Sequence, residues 1–264
     1  MADALIGFSG FIGSTLLKQT TFGSLYRSST IDEIEGGTFD TVVCAGAPAQ
    51  KWMANRDPAA DRRNIDGLIS RLKSMQCKTF VLISTVDVFT NPVAVNEDTP
   101  VDTSGLHAYG LHRRLLEQVV ADHFADHLIV RLPGLVGPGL RKNVIFDFLN
   151  DNNIQAIDSR GTFQFYPTVN LWSDIQTARH AGLKLVHLTA APISVAEVSR
   201  QGFGKPFEHA LEGVAATYDM QTRYANIFGA PGNYQYSSRE TIQAVRAYAQ
   251  SEARTIKSAQ GTNP

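Results

Sequence analysis

Three groups of residues in this chain have types and spacings that could do chemistry. Gly7-Phe8-Ser9-Gly10-Phe11-Ile12-Gly13 follows the apolar run Ala4-Leu5-Ile6 and opens a helical pattern. Small residues there let a turn tighten and let an anion approach the N–H groups that a helix start leaves unpaired. Val81-Leu82-Ile83-Ser84-Thr85 reads as a buried strand that delivers hydroxyls at its carboxyl end. Tyr109 and Arg113 open a helical segment four residues apart, so a phenol and a cation share one face.

Positioning these groups takes a scaffold, and short apolar runs alternate along the chain with longer helical stretches. That alternation predicts an α/β protein, a Rossmann-type doubly wound parallel sheet covered by helices, with a small C-terminal substrate lobe. Strands are expected at Ala4–Ile6, Ser24–Arg27, Thr41–Ala45, Thr79–Ser84, Leu128–Leu132 and Lys184–Leu188. Helices are expected near Phe11–Gln19, Ala59–Met75, His107–Phe124 and Leu171–Ala181. Ser194-Val-Ala-Glu197 and Ser237-Ser-Arg-Glu240 carry the spacing of capping boxes. In such a sheet the glycine run would place a dinucleotide pyrophosphate on the helix start, though glycine triplets also occur in ordinary turns. The small residues of Cys44-Ala45-Gly46-Ala47-Pro48 suit a backbone passing beside the same dinucleotide. The expected division is a dinucleotide-binding core of residues 1–139 and 176–204, a substrate lobe of 140–175 and 205–250, and a frayed tail of 251–264. The lobe would draw on Phe163-Gln-Phe-Tyr-Pro167 and the Gly/Tyr-rich stretch Phe228–Tyr236 to cover the crevice, or those loops close the core.

Composition narrows the class. The 264 residues carry a formal net charge of −1, with 43% hydrophobic and 19% charged residues. No global positive field recruits nucleic acid or an anionic membrane. No apolar run approaches the roughly 18 residues that span a bilayer. The first strand enters the glycine loop at once, leaving no room for a signal peptide, so a cytoplasmic protein is expected. Cys44 and Cys77 read as buried structural thiols. No His/Cys/Asp/Glu cluster has metal-ligand spacing, so no metal is expected.

The glycine loop, the small-residue strand end, Ser84-Thr85 and Tyr109-Gly110-Leu111-His112-Arg113 stand in an order that resembles the extended short-chain dehydrogenase/reductases, the NAD-dependent epimerase/dehydratase type. The match runs from Ala4 to about Gly139, with weaker echoes in Leu185–Glu197. The resemblance implies redox chemistry on a sugar or nucleotide sugar, as an epimerase or a reductase. It implies that Thr85 orients the substrate oxygen and that Tyr109 is the general acid/base. It implies contacts to the cofactor from Gly7, Ser9, Gly10, Phe11, Ile12, Gly13, Ala45, Gly46 and Ala47. The chain departs from the family at the lysine of its Tyr-x-x-x-Lys motif, where Arg113 stands, and no other Tyr here has Lys four residues on. Three readings follow: Arg113 holds the nicotinamide ribose and lowers the phenol pKa in an active enzyme, the enzyme is impaired, or turnover is lost and the chain is a non-catalytic NAD(P)-binding sensor or regulatory protein. Val86 and Asp87 replace the Asp-Glu pair of the family's dehydratases, which argues against dehydration.

About 20 residues past the first glycine, an NAD fingerprint wants Asp or Glu, whereas this chain has Arg27-Ser28. That pair suits a 2′-phosphate and favours NADP over NAD, unless Arg27 is a solvated strand-end charge. His107 and His112 flank Tyr109 and could relay a proton or sit solvated at the surface; Asp87 could be a second acid/base or pair locally. Asn64 reads as a packing residue. Arg141 and Lys142 are candidate cations for a diphosphate, or a solvated turn. The expected partners are a small-molecule substrate, with a nucleotide sugar as the candidate, and a second copy of the chain in a homodimer.

Overall fold

A computed structural model of the chain describes residues 2–255. Six strands form one parallel sheet: β1 (Ala4–Ile6), β2 (Ser24–Tyr26), β3 (Thr38–Cys44), β4 (Gln76–Thr85), β5 (His127–Leu132) and β6 (Leu185–His187). Their spatial order is β2-β1-β3-β4-β5-β6. β1 therefore pairs with β2 on one side and β3 on the other, with Ile6 opposite both Tyr26 and Cys44. The direction of winding reverses there, and ligands of open parallel sheets bind beyond the strand ends at such a switch point.

The helices are α1 (Phe11–Gln19), α2 (Lys51–Arg56), α3 (Pro58–Lys73), α4 (Ala108–His123), α5 (Val144–Asn150), α6 (Leu171–His180) and α7 (Ser238–Ser251). Side chains of a strand alternate between faces, and both faces of this sheet are dry. Ile6, Val42, Cys44, Phe80 and Leu82 pack against Ile65 and Leu72 of α3 and Leu116 and Val120 of α4. Leu5, Val43 and Val81 turn the other way, toward Leu16 of α1 and Leu171, Ile175 and Ala178 of α6. Each such fully buried aliphatic side chain contributes about 1.5–3 kcal/mol relative to exposure.

A third cluster unites α5, α7 and two short parallel strands, Gly134–Val136 and Phe165–Pro167. It takes in Phe165, while Tyr166 joins the cluster on the α6 side of the sheet. Within the patch at 163–167, Phe165 and Tyr166 are buried in the core, whereas Phe163 is half-buried and stacks on Tyr218 at 5.5 Å. Both predicted capping boxes form, with Ser Oγ accepting from the N3 amide and Glu reaching back to the cap. The one at Ser194 opens only a single turn, Val195–Glu197, which widens into Val198–Gly202; the one at Ser237 opens α7. Cys44 is buried, whereas Cys77 is only half-buried on β4. Ser251 ends α7, and the predicted tail lies outside the described residues beyond Thr255. Among the described residues no helix is long and apolar enough to cross a membrane, and no cluster of acidic, His and Cys side chains could hold a metal.

Candidate functional site

The glycine loop sits at the switch point. Gly7 N donates to Tyr26 O at 2.7 Å, carrying the chain from β1 into the turn with a φ of +85°. The three glycines are small for different reasons. A Cβ on Gly7 would come within 2.5 Å of Ala45 O, and one on Gly13 within 2.1 Å of Gly7 O. A Cβ on Gly10 would meet nothing closer than Gly7 O at 3.4 Å, and Gly10 has ordinary extended backbone. No protein atom demands glycine at position 10; what a side chain there would fill is the open approach to α1. Gly10 caps that helix without a side-chain hydrogen bond, so the first-turn amides of Phe11, Ile12 and Gly13 lack intrahelical carbonyls and are placed for an anion. Ser9 and Gly10 are exposed above them.

Ala45, Gly46 and Ala47 leave β3 beside this loop and are half-buried. Ala45 N donates to Ile6 O at 2.9 Å, which holds the two strand ends together. Arg27 and Ser28 follow β2 and are exposed, and the Arg27 guanidinium has no ion-pair partner among the described residues.

Thr85 ends β4, and Tyr109 lies in the first turn of α4. Gly110 lets that helix approach, because a Cβ there would fall 2.0 Å from Asp87 O. His107 Nδ1 caps the helix by accepting from Gly110 N at 3.0 Å, and Asn55 Oδ1 accepts from Tyr109 N at 3.0 Å. Farther along, buried Glu117 accepts Arg131 through both oxygens, at 2.9 and 2.7 Å, and takes the Ser84 hydroxyl at 2.6 Å. Burial works against the Glu117 charge, but Arg131, Ser84 and Arg114 overcome it and hold the carboxyl below its usual range. Ser84 is thereby committed to structure, which leaves Thr85 as the hydroxyl of that strand end. Thr85 Oγ1 accepts from Asp87 N at 3.1 Å, and its hydroxyl faces the Tyr109 phenol oxygen, where hydrogen bonding favours the phenolate.

Tyr109 is buried, with the Arg113 guanidinium carbon 4.4 Å from its ring centroid. The sequence suggests a lowered phenol pKa; the structure gives the opposite direction. Burial is the largest influence and pushes the phenol up, and the Asp87 charge adds to it, against Arg113 and Thr85 which favour the phenolate. Arg113 is the strongest of the opposing influences, and its guanidinium also pairs with Asp61. Arg113 donates from Nη1 and Nη2 to the two Asp61 oxygens, each at 3.1 Å, and from Nη2 to Pro48 O. His112 Nδ1 lies 2.7 Å from the same carboxylate. His112 is buried and His107 caps the helix, so neither is a solvated surface histidine. Asn64, expected to pack, is exposed; the α3 residue facing α4 is Asp61.

Three more groups complete the mouth. Lys51 Nζ donates to Asp87 Oδ1 at 2.8 Å and to Tyr218 OH at 3.4 Å, and Tyr218 OH donates to Asp87 Oδ1 at 3.2 Å. Lys142 reaches back from the Gly137-Pro138-Gly139 side to donate to Ala49 O at 2.5 Å.

No family model matches the chain, and no curated protein matches it in sequence. Solved structures do. RMD from Pseudomonas aeruginosa, complexed with NADPH, superposes with a TM-score of 0.71 at 16% identity, over 96% of this chain and 100% of that one. A dTDP-4-dehydrorhamnose reductase from Clostridium acetobutylicum gives 0.68 at 15% identity, over 95% and 99%. UDP-glucose 4-epimerase from Thermotoga maritima, with UDP-glucose, gives 0.68 at 13%, over 95% and 98%. The fold is that of the extended short-chain dehydrogenase/reductases.

Within that fold the residues present fit a dinucleotide. A side chain at Gly10 would meet open space at the start of α1, with only Gly7 O near, at 3.4 Å, so a ligand has room there. Arg113 Nε is one of two buried side-chain polar atoms without a partner among the described residues, the other being Gln235 Nε2. An orphaned buried donor costs about 1–3 kcal/mol, and a ribose hydroxyl is a group that would satisfy it. Gly10→Val should leave the chain folded, since 3.4 Å is an ordinary contact. It should weaken NADPH binding about 10- to 100-fold, the worth of one or two charge-assisted hydrogen bonds. Unchanged affinity in a titration of nicotinamide fluorescence would remove the loop from that role. The sequence reading missed Asp61 and Lys51. Asp61 carried one signal, as an acid on the buried stripe of α3 with Ile65 and Leu72; Lys51 carried none.

Proposed function

We propose that the chain is an NAD(P)-dependent oxidoreductase that reduces or epimerises a sugar or nucleotide-sugar substrate, with Tyr109 as acid/base, Thr85 orienting the reacting oxygen and Arg113 supporting both. The observation that carries this reading is the convergence of Thr85 and Tyr109 at the carboxyl ends of the sheet, two strands over from a glycine loop shaped for an anion, with the end of β3 between them. The nicotinamide, when bound, supplies or takes up the hydride. Thr85, its hydroxyl beside the Tyr109 phenol, would donate to the substrate oxygen and fix it. Tyr109 gives that oxygen a proton as it becomes a hydroxyl, and the upward push on its pKa suits the donating direction, which favours keto reduction. Gly7, Ser9, Gly10, Phe11, Ile12, Gly13, Ala45, Gly46 and Ala47 would cradle the dinucleotide, and residues 140–175 and 205–250 would supply the substrate lobe.

NADPH oxidation followed against a panel of keto sugars and nucleotide sugars tests the reading. Stoichiometric consumption marks a reductase; turnover with cofactor retained marks an epimerase. A protein that binds NADPH and turns over none of the panel supports the second reading, a dinucleotide sensor, which draws on the commitment of Arg113 to Asp61.

NADP is the preferred cofactor in this proposal because Arg27 and Ser28 follow β2 exposed, the Arg27 guanidinium without an ion-pair partner among the described residues, where a 2′-phosphate would lie. Arg27→Ala should cost NADPH about 10- to 100-fold in affinity, as loss of one hydrogen-bonded charge does, and leave NADH unchanged. Equal losses for both cofactors, or a parent preference for NADH, would return Arg27 to a solvated strand-end charge.

A further inference from the structure

The mouth of the site carries more positive charge than the chain itself neutralises. Lys51 and Lys142 converge there from different segments, Lys142 Nζ bonding the carbonyl of Ala49, two residues before Lys51. Only one carboxylate answers them. Asp87 pairs with Lys51 at 2.8 Å, while Lys142 has no carboxylate within ion-pair distance among the described residues. Among the described residues Asp87 is also the one carboxylate whose charge acts on Lys142, and the carboxylate whose charge acts on Lys51. His107 adds no charge, since burial and then Lys51 hold it below its usual range. Two ammonium groups against one carboxylate leave a net charge of one, with donors to spare: an ammonium has three, Lys51 uses two and Lys142 one.

This excess stands beside the reacting atoms. Asp87 N is bonded to Thr85 Oγ1, Gly110 packs on Asp87 O, and α2, which Lys51 opens, is tied to Tyr109 N through Asn55. Asp87 and Tyr218 hold the Lys51 ammonium in place. We infer that Lys51 and Lys142 together receive a single carboxylate carried by the substrate next to its reacting carbon, so that the substrate is a sugar acid. One negative charge balances the corner, whereas a terminal phosphate dianion would overshoot it; the singly charged phosphoryls of a nucleotide sugar are told apart from a carboxylate by sugars that differ in the carboxylate alone. The choice of reacting carbon rests on the oxidoreductase reading above; the anion site itself does not.

Matched pairs that differ only in the carboxylate test it: UDP-glucuronic acid against UDP-glucose, and free glucuronate against glucose, titrated calorimetrically with and without NADPH. The parent should favour the acid at least about tenfold in the pair that binds, the worth of one charge-assisted contact. Lys51→Met and Lys142→Met should each bring the preference to within about threefold, losing most of that contact's discrimination. Lys51→Arg should keep much of it. Lys142→Met leaves no carboxylate unpaired, so it decides the matter if Lys51→Met fails to fold. Equal binding of acid and neutral sugar, binding of neither acid, or a preference that survives both methionine variants overturns the inference. A carboxylate preference without any NADPH binding would keep the anion site and retire the oxidoreductase reading instead.

Discussion

Tyr109→Phe should abolish turnover, lowering kcat by about 100- to 10,000-fold, the usual worth of a positioned proton-transfer group. NADPH affinity should stay close to the parent value, because the ring that stacks under Arg113 at 4.4 Å is retained and only the oxygen is lost. The fold should stay intact for the same reason. Thr85→Val, which keeps the shape of the strand end and removes its hydroxyl, should fall by a lesser factor of about 10 to 1000. The pH profile gives an independent check. Burial favours the neutral phenol, so the proton-donating form persists upward and the alkaline limb of keto reduction should lie at or above the ordinary phenol range of about 10. A limb near neutrality would mean that another group donates the proton. If Tyr109→Phe matches the parent in every turnover assay while NADPH still binds, Tyr109 is a packing residue and the sensor reading takes its place.

The scaffold of that site was legible because it is written in local patterns. Apolar runs such as Val42-Val43-Cys44 and Phe80-Val81-Leu82 bury side chains on both faces of the sheet, and the helices between them carry one apolar stripe each. Gly7, Gly10 and Gly13 announced the switch point in the same way. α2 was not legible: it is six residues long, and its Trp52 and Met53 face outward, so no amphipathic period marks it. Pairings across the chain were also hidden. Asp61 meets Arg113 over a separation of 52 residues, and Asp87 meets Tyr218 over 131. Only the packing of α3 on α4 and the approach of the late loop to β4 bring these partners together. The histidines were misjudged for a related reason. His112 lies on the side of α4 that faces α3, and no feature of its neighbours in sequence distinguishes that side from solvent.

Arg113→Ala should cost about 3–5 kcal/mol of stability, the penalty for leaving a buried carboxylate without its partner. For a domain of this size that corresponds to a fall in Tm of about 6–20 °C. Asp61 is 5% exposed and Arg113 3% exposed, so solvent replaces little of what is removed. Asp61→Ala should cost a similar amount, since it strands the guanidinium and frees His112 as well. The double variant should be more stable than the sum of the two losses predicts, because the strongly coupled pair then disappears as a unit. Arg113→Lys separates charge from geometry. An ammonium keeps the positive charge, but it cannot span both Asp61 oxygens while also reaching Pro48 O as the planar guanidinium does. It should therefore lie between parent and Ala in thermal melts. It should also lose the Pro48 tie that steadies the strand end at Ala45–Ala47, and NADPH affinity should fall with it. A parent-like Tm in Arg113→Ala would show that the pair contributes no net stability. Loss of NADPH binding in that same variant would then assign Arg113 to the ligand through its unpartnered Nε, and retained binding would leave the residue with neither role.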